Sequence, residues 1–267
     1  MNHQQSRKAD ADAVVVRSDN GGVVTLMLNR AEKFNALSEE MIAALQAELD
    51  ALAQDPSARV VVLAAAGKAF CAGHDLKQMR AQPDADYYQT LFKQCSKLML
   101  TIQALPQPVI ARVQGMATAA GCQLVAMCDL AVAAESASFA VSGINVGLFC
   151  ATPAVPLSRN LTRKQALEML LTGDFIDART ALARGLVNRV VPLDQLDAEV
   201  GKLCASIVAK PAVAVAMGKQ LFYQQAEMGI AAAYQLAGQT MACNMMDEAA
   251  LEGVQAFIEK RAPNWKV

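Results

Sequence analysis

The chain has 267 residues, with 24 Lys+Arg against 25 Asp+Glu and a net charge of −1. That balance argues against nucleic acid or an anionic membrane surface as the main partner. At 54% hydrophobic and 18% charged it is a packed globule, one large domain or two small ones, that needs no disulfide or metal to hold together.

The polar first twelve residues read as a disordered tail and carry no apolar stretch of the kind a secretory signal needs. Residues 13–17 and 23–28 are β-rich and flank Asn20-Gly21, a strong hairpin signal. Residues 38–53 read as a helix with Ser38 as N-cap, Glu39 and Glu40 in the first turn, and Ile42, Leu45, Leu49 and Leu52 on one face. Residues 59–64 form a buried strand, followed by a Gly-containing loop over 67–73 and a helix opening near Asp75. A helix over 85–105 is stopped by Pro106 and Pro108; a strand over 109–113, a helix over 119–127 and a strand over 130–133 follow. This alternation predicts an α/β core with a largely parallel sheet over 13–195. From 196 to 267 the chain reads as helices only, over 194–209, 211–227, 230–247 and 248–260. No sequence repeat recurs at fixed spacing.

The longest uncharged apolar-looking run, 116–128, is too short to span a bilayer and contains Gln123, so no membrane segment is expected. Seven cysteines without a CxxC pair read as reduced, mostly buried thiols in the cytosol. With only His3 and His74 available, no metal site is expected.

Two strand-to-helix junctions could carry chemistry: residues 70–77 (FCAGHDLK) and residues 114–123 (QGMATAAGCQ). The first N–H groups of a helix lack intrahelical partners and carry partial positive charge. Small residues there let a ligand approach the backbone, and two facing junctions would supply paired donors to one developing oxyanion. The plainer alternative is that Gly and Ala are needed where helix meets sheet.

The first junction resembles the F-x-A-G-x-D-[LI] stretch of the crotonase superfamily, the enoyl-CoA hydratase/isomerase family. Residues 113–129 resemble its V-x-G-x-[AC]-x-G-G segment through to the closing Cys-Asp. Asn29-Arg30 with residues 33–37 (KFNAL), Leu171-Thr172-Gly173 with residues 181–187 (ALARGLV), and residues 252–257 (EGVQAF) with Lys260-Arg261 are similar to further family motifs in register. The resemblance implies a crotonase-like ββα superhelix core with a C-terminal helical trimerisation region, a homotrimer or dimer of trimers. It also implies an acyl-CoA thioester as ligand, coenzyme A entering as part of the substrate with no separate cofactor. Carried over by position, the oxyanion N–H groups fall on His74 and Ala120. Substrate-binding positions fall on Lys33, Asn35, Ala36, Ala72, Asp75, Leu76, Lys77, Gly121, Cys150 and Lys260.

The family's two catalytic glutamate positions fall on Gln123 and Gly143. A glutamine takes up no proton at neutral pH and glycine has no side chain. General acid–base catalysis contributes roughly 10²–10⁴-fold per positioned group, so the loss of both disfavours standard hydration. His74 serves either through its backbone alone or through its imidazole; the A-G-H-D sequence here and residues 142–147 (SGINVG) also resemble the methylmalonyl-CoA decarboxylase branch, the latter its T-P-x-N-x-G stretch, while that branch's tyrosine position is Cys150. Cys71, Cys122 and Cys150 read as buried small hydrophobes, with a Cys71–His74 nucleophile pair as the sharper alternative. Three functions stay open: a hydratase/isomerase-type enzyme with altered acid–base machinery, enolate-only chemistry such as decarboxylation or a thioesterase, and a non-catalytic acyl-CoA binder.

Overall fold

The computed structural model describes residues 13–265, so the tail expected over 1–12 lies outside the described residues. The hairpin forms as β1 (Val15–Asn20) and β2 (Val23–Leu28), antiparallel, with Gly21 and Gly22 at its turn. Helix α1 (Glu39–Leu52) is capped by Ser38, whose hydroxyl accepts from the Met41 amide, and buries Ile42, Leu45, Leu49 and Leu52 as its periodicity predicts. Each such aliphatic side chain contributes about 1.5–3 kcal/mol through burial.

The chain then repeats one topological step. It runs through a strand of a large sheet, turns into a three-residue strand of a small sheet, and leaves into helix. The first step is β3 (Val60–Ala65), β4 (Ala69–Cys71), then α2 (Leu76–Ala81) and α3 (Ala85–Ala104). The second is β5 (Val109–Val113), β6 (Met116–Thr118) and α4 (Ala120–Met127). The third is β7 (Leu130–Ala134), β8 (Ser138–Ala140), a short 3-10 turn over Ser142–Val146 and α5 (Ala151–Asn160). Then come α6 (Arg163–Thr172), β9 (Ile176–Asp177), α7 (Ala178–Arg184) and β10 (Arg189–Val191). The large sheet has the order β1-β2-β3-β5-β7-β10 and is parallel from β2 onward; the small sheet has the order β4-β6-β8-β9.

The small sheet corrects the sequence reading. Residues 67–73, expected as loop, contain β4, and the run before Ala119 contains β6. Strands of three residues show no alternation long enough to read.

Both faces of the large sheet are covered. Val61, Leu63 and Ala65 of β3 join α1, α3 and α4 in the main core, while Val60, Val62 and Ala64 pack with Leu196, Val200 and Cys204 of α8 (Leu196–Val208). Helix α8 therefore packs as part of the α/β core, although the change to all-helical sequence falls at residue 196. The helices that stand apart are α9 (Ala212–Ala226), α10 (Ile230–Met245) and α11 (Glu248–Ile258), whose buried residues are only Ala233 and Ala256. The arm is fixed to the core by a buried polar node. The Lys219 ammonium donates to Asp129 Oδ2 at 2.7 Å and to the carbonyls of Ile102 and Gln107, and the Tyr223 hydroxyl donates to Asp129 Oδ1. No single helix among the described residues is long and apolar enough to cross a membrane.

Candidate active site

The two junctions singled out in the sequence pack directly on each other, and two glycines set their distance. A Cβ on Gly73 (φ +90°) would lie 2.9 Å from Ala119 Cβ, 3.1 Å from the Thr118 oxygen and 3.2 Å from the Ala120 nitrogen. A Cβ on Gly121 would lie 2.1 Å from the Cys71 oxygen. Gly121 therefore leaves no room for a side chain and Gly73 takes one only if the junctions shift, so the start of α4 seats closely against the β4–α2 turn. Ala119 adopts a positive φ of 50° just before α4, a conformation that costs about 1–3 kcal/mol in a non-glycine residue. Its N–H donates to the Ala140 oxygen, and Ala120 becomes the first residue of α4. On the other side His74 lies beside Leu37, whose N–H donates to the Gly73 oxygen at 2.7 Å, and Asp75 caps α2 by accepting from the amides of Lys77 and Gln78. Among the described residues no acceptor takes the His74 or Ala120 N–H, which leaves two donors at adjoining backbone turns.

These turns open on a cavity of about 230 Å³. Of the residues expected at the site, Ala72, His74, Leu76, Ala120, Gly143 and Cys150 line it. The sequence reading missed Met79, Phe92, Leu148, Phe149, Thr152 and Pro153. Phe92 lies on α3 outside any recognised motif, and Pro153 and Pro156 weaken the helical signal of α5 in a stretch to which the sequence reading assigns no element. A proline in the first helical turn removes an N–H that has no intrahelical partner anyway.

The remaining candidates lie off the cavity. Asn35 is fully buried with φ 51°; its Oδ1 accepts from the Arg30 amide and its Nδ2 donates to the Ala66 and Ala69 carbonyls. That carboxamide braces the β3–β4 bend, so its side chain is committed to the backbone. Ala36, Gly121 and Asp75 act in the surrounding turns, and Lys33, Lys77 and Lys260 are exposed. Gln123 is 3% exposed, does not line the cavity, and its Oε1 finds no hydrogen-bond partner. Gly143 leaves no room for a side chain: a Cβ would fall 2.6 Å from the Leu148 oxygen and 2.7 Å from Cys150 Sγ.

The His74 ring packs edge-on to Phe92 with centroids 5.5 Å apart. Both ring nitrogens are buried, and neither makes a hydrogen bond. Burial holds the imidazole below its ordinary pKa, an effect the nearby Leu37 backbone offsets only in part, so the ring is neutral at pH 7. The Cys71–His74 nucleophile pair does not form. The Cys71 thiol is fully buried, accepts from the Gly73 amide, and burial pushes its pKa up to about 12. All seven cysteines are free, and only Cys243 is exposed. No group of three or more His, Cys, Asp and Glu among the described residues could hold a metal ion.

The sequence profile of the enoyl-CoA hydratase/isomerase family matches residues 18–267. The chain belongs to that family. It is 46% identical over 244 residues to enoyl-CoA hydratase domain-containing protein 3, mitochondrial, of Xenopus laevis, covering 91% of this chain and 83% of that relative. The crystal structure of an enoyl-CoA hydratase from Mycobacterium smegmatis superposes with a TM-score of 0.94 at 63% identity, covering 95% of this chain and 99% of that one. The human enoyl Coenzyme A hydratase domain-containing protein 3 superposes with a TM-score of 0.92 at 42% identity, covering 94% of this chain and 100% of that one. The α/β fold with C-terminal helices is thus the crotonase fold.

The cytosolic placement is corrected by these comparisons, since the vertebrate relatives are named mitochondrial. Free thiols report a reducing environment and do not specify which compartment supplies it.

Proposed function

We propose that the chain binds an acyl-CoA thioester with its carbonyl oxygen between the backbone N–H groups of His74 and Ala120, and that its chemistry runs through the thioester enolate. The observation that supports this is the pair of unpartnered donors that Gly73 and Gly121 hold together at an apolar cavity. Donors preorganised for a developing oxyanion contribute about 10²–10³-fold each to the rate. Coenzyme A is part of the substrate.

Among the described residues lining the cavity there is no Asp, Glu, Lys or Arg. Hydration of an enoyl thioester needs a base to deliver water and an acid to protonate the α-carbon, so we expect it to be weak here. That lack of carboxylates favours a second form of the reading, methylmalonyl-CoA-decarboxylase-like chemistry. There the electrons of the breaking C–C bond enter the thioester as an enolate, carbon dioxide leaves, and the basic α-carbon of the enolate takes up a proton from water. No base is needed. A thioesterase or a non-catalytic acyl-CoA binder are the remaining outcomes.

The test is calorimetric titration with acetyl-, crotonyl- and methylmalonyl-CoA, followed by mass-spectrometric analysis of the same mixtures. We expect binding of the thioesters and product from the malonyl type. Rapid hydration of crotonyl-CoA would overturn the enolate-only reading, and no binding of any thioester would overturn the site. Grafting glutamates at 123 and 143 is not an adequate test, because Gly143 has no space for one.

We also propose that further copies of the chain cover the C-terminal arm, as a homotrimer or dimer of trimers. Phe257 is 85% and Met246 77% exposed, and Ile230, Tyr234 and Met241 of α10 are exposed as well. Large apolar side chains exposed in this number on three helices with almost no buried residues fit an interface. Light scattering coupled to size exclusion should give three or six chains; a monomer at micromolar concentration would refute the assembly.

A further inference from the structure

A hydroxyl pair stands at the edge of the cavity. Ser142 lines it, and Ser142 Oγ lies 2.9 Å from Thr118 Oγ1. The residues are 24 apart in sequence and meet because β6 and β8 are neighbouring parallel strands, with Thr118 at the end of one and Ser142 just beyond the end of the other. Distance alone does not say which hydroxyl donates, but burial does. Thr118 is 7% exposed, and among the described residues Ser142 is its hydroxyl's only hydrogen-bond partner. If Ser142 donated to Thr118, the Thr118 proton would be buried without an acceptor, a substantial penalty. If Thr118 donates, its proton is satisfied and the Ser142 proton is free to turn toward the cavity that Ser142 lines.

We infer that Thr118 orients Ser142 as a third hydrogen-bond donor in the cavity, and that Ser142 selects acyl thioesters carrying an acceptor oxygen on the acyl chain. The inference rests on the acyl-CoA reading above. The thioester carbonyl is claimed by the two backbone donors, so the Ser142 hydroxyl is left for a second oxygen. The neutral His74 ring adds one N–H and one acceptor nitrogen, both unpartnered. A hydroxyl or a carboxylate on the chain meets the same donors; an unsubstituted chain leaves Ser142 and His74 buried against methylene groups, which costs the lost hydrogen bonds.

The experiment measures affinities of the full chain for butyryl-CoA, 3-hydroxybutyryl-CoA and methylmalonyl-CoA by calorimetry, for the wild type and for Ser142→Ala, Ser142→Thr and Thr118→Val. The wild type should prefer at least one oxygenated thioester over butyryl-CoA by about three- to tenfold for the hydroxyl and about tenfold or more for the carboxylate. The larger preference tells the two sources of oxygen apart. Ser142→Ala should bring the ratio to about one, Ser142→Thr should keep it, and Thr118→Val should lower it to an intermediate value by removing the orienting bond. Equal binding of butyryl-CoA and both oxygenated thioesters by the wild type, or a ratio unchanged in Ser142→Ala, would overturn the inference. If Ser142→Ala does not fold, an unchanged ratio in Thr118→Val overturns the orientation by itself. Failure of all three thioesters to bind would instead overturn the acyl-CoA site on which the inference rests.

Discussion

Gly73→Ala tests whether the two junctions must touch for the site to work. The added methyl meets two separate costs. At φ +90° a non-glycine residue loses about 1–3 kcal/mol. Contacts of 2.9 Å to Ala119 Cβ and 3.2 Å to the Ala120 nitrogen force the junctions apart, which in a packed interior costs about 1–3 kcal/mol more. Against a total stability of about 5–15 kcal/mol the variant should still fold. Its donors, however, should no longer converge. Loss of one oxyanion donor should lower turnover about 10²–10³-fold, and should weaken acyl-CoA binding relative to free coenzyme A about tenfold or less. Gly21→Ala is the control: it also has a positive φ, +56°, but nothing lies within 4 Å of its added Cβ, and it sits in the β1–β2 turn. It should lower the melting temperature without changing the ratio of acyl-CoA to coenzyme A affinity. A folded Gly73→Ala protein with wild-type ratio and turnover would refute the oxyanion geometry.

Three further outcomes follow from groups around the site. Lys219→Met should destabilise the protein by about 3–5 kcal/mol in urea unfolding, because it strands Asp129 in a node where the two side chains are only 6% and 14% exposed; adding Asp129→Asn should recover part of the loss. Asn35→Ala should cost about 1–3 kcal/mol for each of the two backbone groups it strands, the Arg30 amide and the Ala66 carbonyl, since the Ala69 carbonyl keeps its bond from Gln114; a urea midpoint equal to wild type would show that water replaces them. His74 has a folded pKa below its ordinary 6.5, so the unfolded state binds the proton first on acidification. Stability from this residue is therefore whole above 6.5 and falls as pH drops from there to the lower folded value. His74→Gln should flatten that slope, measured as urea midpoints between about pH 5 and 7.

Much of this protein could be read from local sequence. The apolar face of α1, the Asn20-Gly21 turn, the β-branched runs of β3 and β5 and the four C-terminal helices all follow from periodicity and capping, which act within a few residues of chain. The two junction segments could also be picked out in the sequence, and the structure packs them on each other. The small sheet did not show, because β4, β6 and β8 are three residues each and exist only through pairing with one another. Helix α5 was hidden by its prolines, and α8 looked like part of the helical arm until it packed on Val60, Val62 and Ala64. The sequence also could not show that Asn35 braces a bend, or that Gly143 is closed off by Leu148 and Cys150. Thr118 and Ser142 are unremarkable where they stand in the chain. Parallel pairing of β6 with β8 puts their hydroxyls 2.9 Å apart. Helix and strand are chosen by nearest neighbours; the chemistry of the cavity depends on distances between residues tens of positions apart, and only the packed tertiary structure sets those.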